Sequence, residues 1–134
     1  MMRSIFHNIA RSFGVALLVI LTIPAKQIAL AIPNDPIPNF IRQEAIKYGV
    51  DPLTALFIVQ HESQFRPEAM GDDGQSRGLW QISKRWHPEV SDEMAFSPRK
   101  STEWALKRIK AGYANEWSTY RFCMKLYQTC PPKP

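Results

Sequence analysis

Residues 52–60 read PLTALFIVQ, apolar at almost every position, and such a stretch is stable in water only when the rest of the fold encloses it. Asp51-Pro52 sets its start, a capping carboxylate followed by proline at the first helical position. The pattern predicts a buried central helix from residue 52 to about residue 61, with Leu53, Leu56, Phe57 and Val59 on one side and Ala55 and Ile58 on the other. Glu62 and Ser63 follow at its end. Pro67 then interrupts helical continuation, and Gly71, Asp72, Asp73 and Gly74 form a turn cluster. Gly78 allows a close backbone approach before the short apolar piece 79–82. The expectation is a loop or small hairpin that makes one wall of a cleft, with Glu62 at its mouth.

Three more helices are expected around this one. Residues 32–38 are proline-rich and read as an extended lead-in. Asn39 or Asp35 caps a helix ending at Tyr48, with Ile37, Ile41, Ala45 and Tyr48 as its apolar face and Gly49 as its stop. Residues 83–89, including Trp86, read as irregular cover over the core. Ser97-Pro98 repeats the cap-then-proline signal and opens a helix to about residue 111, with Trp104, Ala105, Leu106 and Ile109 inward and Arg99, Lys100, Lys107, Arg108 and Lys110 outward. A last helix starts near Asn115 and carries Trp117, Tyr120, Met124 and Tyr127 at helical spacing. The fold class read from this is all-α, α+β at most: one small domain over 32–130, with 131–134 a disordered tail.

The first 31 residues have the anatomy of a secretory leader. Arg3, His7 and Arg11 form a positive start, residues 13–23 an apolar run, and Ala29-Leu30-Ala31 a small-residue cleavage site. The run of about eleven residues is short of the roughly twenty needed to cross a bilayer. Removing the leader takes away Arg3, Arg11 and Lys26, which leaves 14 basic and 12 acidic residues, a net charge of +2. So small a surplus gives no compositional support for nucleic-acid binding. Cys123 and Cys130, an even pair in an exported chain, are expected to form a disulfide. His61-Glu62 lacks the second histidine of a metalloprotease helix, since Phe65 stands there, so no metal site is expected.

A carboxyl group half withdrawn from water keeps its proton to higher pH, so Glu62 is the candidate general acid. The run E-S-x-F-x-P-x-A followed by G-L-W-Q-I-S resembles the signature of soluble lytic transglycosylases and goose-type lysozymes. It matches at Glu62, Ser63, Phe65, Pro67, Ala69, Gly78, Leu79, Gln81 and Ile82, with Trp80 where the family usually has methionine. Residues 116–123, EWSTYRFC, loosely resemble a tryptophan-rich segment of animal lysozymes.

The resemblance implies a lysozyme-like fold that acts on peptidoglycan glycan strands outside the cytoplasmic membrane, as a monomer and with no cofactor. It implies that Glu62 protonates the bridging oxygen between N-acetylmuramic acid and N-acetylglucosamine. Ser63 would orient Glu62, and Gln81 would contact sugar hydroxyl or N-acetyl groups or else tie two loops together. Gly78, Leu79 and Trp80 would line the substrate wall, Trp80 either stacking on a pyranose ring or lying in the core. Tyr113, in G-Y-A-N, stands near the position of a family tyrosine that bonds the acid. Where animal lysozymes carry their second carboxylate this chain has Ser76, and that pattern looks like a transglycosylase, in which the substrate's own 6-hydroxyl attacks. Asp72 or Asp73 placing a water would make the enzyme a hydrolase instead. A non-catalytic wall-binding protein on the same fold is the alternative from another class.

Overall fold

The computed structural model describes residues 36–131. The expected leader and cleavage site, the Asp35 cap and residues 132–134 lie outside the described residues. Five α-helices and a small sheet make up the described part. The helices are α1 (Pro36–Tyr48), α2 (Pro52–Ser63), α3 (Asp92–Phe96), α4 (Pro98–Lys110) and α5 (Ser118–Tyr127). Between α2 and α3 lie β1 (Met70–Gly71), β2 (Ser76–Arg77) and β3 (Ile82–Ser83), antiparallel in that order, with Met70 opposite Arg77 and Ser76 opposite Ser83.

Helix α2 sits at the centre. The Asp51 carboxylate accepts from the Thr54 amide at 2.8 Å and from its hydroxyl at 2.7 Å, which satisfies two donors at the helix start. Ala55, Ile58 and Val59 are fully buried, packed among Ile41 and Ala45 of α1, Leu79 and Trp80 of the β2–β3 turn, and Ala105 and Leu106 of α4. Leu53, expected inward, is 56% exposed, because it falls on the one side of α2 that nothing covers. Helix α1 begins at Pro36, so Asn39 lies inside the helix and is not its cap, and residues 36–38, expected as extended lead-in, are helical: Pro36 and Pro38 occupy the first turn, where a proline's missing N–H costs nothing.

Helix α3 has no counterpart in the sequence reading. Its signal was present in Ser91, whose side chain caps the Met94 amide, and in Asp92 and Glu93 in the first turn. Helix α4 follows the cap-then-proline expectation, with the Ser97 hydroxyl accepting from the Lys100 amide. The last helix starts at Ser118, after a 3₁₀ turn at Ala114–Glu116, and Tyr127 faces out. Cys123 and Cys130 are bonded, with Cα atoms 5.6 Å apart. The Thr54 hydroxyl shares its one proton between the Asp51 carboxylate and the Cys130 carbonyl, 3.0 Å away, so the segment after α5 is tied to the start of α2.

Candidate active site

Glu62 occupies the last turn of α2, just before Gln64 and Phe65 take left-handed conformations (φ 53° and 60°) and end the helix. It opens onto a cleft of about 870 Å³ whose other walls come from the sheet, the 83–90 loop, α4 and the start of α5. Asp72, Ser76 and Gln81 line the side nearest the sheet, while Trp86, His87, Trp104 and Trp117 supply aromatic surface. Glu62 itself is half buried. Burial pushes its pKa up, and the Asp72 charge adds to that. The Thr119 hydroxyl, donating to Glu62 Oε1 at 2.7 Å, works in the opposite direction without reversing the outcome.

Another carboxyl of the cleft, Glu116, is driven the other way. The Arg108 guanidinium grips it through both Nε and Nη2 and holds its pKa below the ordinary glutamate value. Two glutamates in one cleft are thus set apart, one inclined to keep its proton and one to stay ionised. That arrangement can deliver a proton from Glu62 to an oxygen bound in the cleft.

Of the residues expected to touch a substrate, only part reach the cleft. Gln81 does, in a left-handed conformation (φ 48°), with its amide donating to the Ala69 and Gly78 carbonyls at 3.2 and 2.9 Å. It therefore ties two loops and presents its remaining surface to the cleft. Leu79, expected on the substrate wall, lies in the core, and of the two readings open for Trp80 the structure has the core one: both are fully buried, and the Trp80 indole donates to Thr102 of α4 at 3.0 Å with no face free for a sugar. Gly78 is likewise enclosed; its φ of 71° and the Ala95 carbonyl, which a Cβ would overlap, make it a backbone requirement. Ser63 is buried and its hydroxyl donates to Val59 O at 3.2 Å, one helical turn back, instead of reaching Glu62. Tyr113 is 52% exposed beneath the Arg108 guanidinium and does not line the cleft, because the 3₁₀ turn that follows carries it to the surface.

Trp104 and Trp117, expected as core, serve both purposes, packing edge to face at 6.5 Å while lining the cleft. The two aspartates of the turn divide: Asp72 lines the cleft and accepts from the Ser76 hydroxyl at 2.5 Å, whereas Asp73 is exposed outside it. The sequence reading missed Thr119, which lies 57 residues from Glu62 and has no local pattern that announces it. It also missed Arg77, 2% exposed, whose guanidinium donates to Ile82 O at 3.2 Å and to Val90 O and Asp92 Oδ1 at 2.8 Å. Arg77 clamps the loop that carries Trp86 and His87.

A family model described as Transglycosylase SLT domain matches residues 39–123, from the first helix to the first half-cystine. No curated protein and no solved structure gives a significant match.

Proposed function

Since this chain belongs to the Transglycosylase SLT domain family, whose activity is of the transglycosylase type on peptidoglycan, we propose that it is a lytic transglycosylase with Glu62 as its acid and base. The bond cut is the β-1,4 link between N-acetylmuramic acid and N-acetylglucosamine. Glu62 gives its proton to the bridging oxygen as the bond from the muramyl C1 breaks, leaving an oxocarbenium-like sugar. The substrate's 6-hydroxyl then attacks C1 and returns its proton to Glu62. The ring closes to a 1,6-anhydro product, no water is consumed, and the enzyme is restored. An attacker already attached to the sugar needs no separately held water.

The observation that carries the reading is Glu62 itself, a half-buried carboxyl at an open cleft whose surroundings favour its protonated form. Gln81, with its Nε2 engaged, lines the same cleft with the carbonyl end of its amide as an acceptor, and the exposed Trp86 indole, 71% accessible with Arg85 over its ring, offers a face to a pyranose. A substrate beyond the cytoplasmic membrane accords with the leader expected over residues 1–31, and among the described residues no helix is long and apolar enough to cross a membrane.

Asp72 supports one second reading. It lines the same cleft, and if its carboxylate, steadied by Ser76, holds a water against C1, the product is a reducing sugar. Mass spectrometry of digested sacculi separates the two, since anhydro-muropeptides are lighter by one water. Glu62→Gln should abolish clearing in a zymogram while leaving sacculus binding and the circular dichroism spectrum unchanged; retained clearing would remove Glu62 from the mechanism.

A further inference from the structure

A carboxylic acid has two oxygens, and a donor held on one of them leaves the other to exchange the proton. The motif partners expected to select it are engaged elsewhere: Ser63 donates to Val59 O, and Tyr113 lies under Arg108. Thr119 stands in that place, its hydroxyl 2.7 Å from Oε1.

We propose that Thr119 is a positioning residue that holds Oε1 of Glu62, so that Oε2 alone gives and takes the proton. In the neutral acid the oxygen without the proton is the better acceptor, so a donor fixed on Oε1 leaves the proton on Oε2. In the carboxylate the same hydroxyl stays in place and stabilises the charge that forms when the proton leaves.

Both ends of α5 are secured in a way that keeps Thr119 in reach. The Trp117 indole donates to Trp80 O at 2.8 Å, and the Cys123–Cys130 bond with the Thr54 to Cys130 contact holds the far end against α2. The charged groups that act on Glu62 are Asp72 from the turn at Asp72–Gly74 and His61 from its own helix. The other ionisable groups that line the cleft are His87, Glu89, Arg108, Glu116 and Arg121.

The inference rests on Glu62 being the acid, and the test keeps the two apart. Thr119→Val, Thr119→Ala and Thr119→Ser are made in the full chain and assayed on soluble glycan strands across pH. Valine should lower kcat about 10- to 100-fold with KM little changed. Removing a bond that favours the carboxylate should also move the alkaline limb of kcat to higher pH. Serine should restore both. The limb's position is independent of how much protein is folded, so alanine gives the same reading if valine destabilises the chain. A limb and kcat unmoved in valine and alanine, or serine as impaired as valine, overturns the inference while leaving Glu62 as the acid. Turnover retained in Glu62→Gln overturns the underlying assignment instead.

Discussion

Two stretches face each other across the cleft, residues 61–83 and residues 104–121, and they contribute in opposite ways. The first carries the signature and Glu62, yet Ser63, Gly78, Leu79 and Trp80 within it are buried and serve the path of the backbone. The second carries little more than a loose tryptophan pattern. It nonetheless supplies Thr119 to Glu62, Arg108 and Glu116 as an ion pair, and two indoles to the cleft surface. A signature of this kind marks mainly where the chain must bend, while the proton affinity of its one reactive group is adjusted by residues far away in sequence.

The comparison breaks most readily at Gly78. A methyl group there meets the Ala95 carbonyl and requires a left-handed residue to carry a Cβ, so Gly78→Ala should cost about 3 kcal/mol. Gly74, with φ 85° and open space around its Cα, is the control, and alanine there should cost about 1 kcal/mol from conformation alone. Urea unfolding measures both. Equal losses at the two glycines would show that the signature wall is not set by close approach.

Trp117→Phe tests the other stretch. The change removes the donor to Trp80 O, leaving a buried carbonyl unpaired, and it thins the packing against Trp104. We expect a loss of about 2 kcal/mol. Because Thr119 is two residues on, turnover should fall by more than the folded fraction does. A variant that lost stability without a further loss of turnover would confine this stretch to support.

What could be read from the sequence follows the same division. Asp51-Pro52 and Ser97-Pro98 were legible because capping is local: the side chain and the amide it receives are three residues apart. The apolar run of α2 was legible as a central helix, but periodicity gives a face and not its cover, so Leu53 was placed inside and is outside. Trp80 shows the same gap from the other direction, an aromatic beside a reactive group whose hydrogen bond to Thr102 draws it inward. Arg77 finds its partners 13 and 15 residues on, and Glu62 finds Thr119 at 57. Separations of that size are settled by tertiary packing, which no spacing rule in one sequence encodes.

The smallest expected effect is also the one that weighs the two stretches directly. Burial raises the pKa of Glu62, and the Thr119 hydroxyl from the second stretch lowers it by less. The folded chain therefore binds this proton more tightly than the unfolded chain does. Stability from that binding is complete below the ordinary glutamate range and is lost as pH rises through the folded pKa. At pH 7 the carboxyl is a net liability, and Glu62→Gln, whose amide oxygen still accepts from Thr119, should be the more stable protein. The gain should be about 1 kcal/mol, reduced from a fully buried case because cleft water reaches the group. Urea midpoints at pH 7 and near pH 4 should show the gap closing on acidification, where glutamate is itself neutral. A glutamine variant no more stable than the parent at pH 7, or a gap indifferent to pH, would mean that the bond from α5 outweighs burial and that the second stretch, not the first, decides the protonation of Glu62.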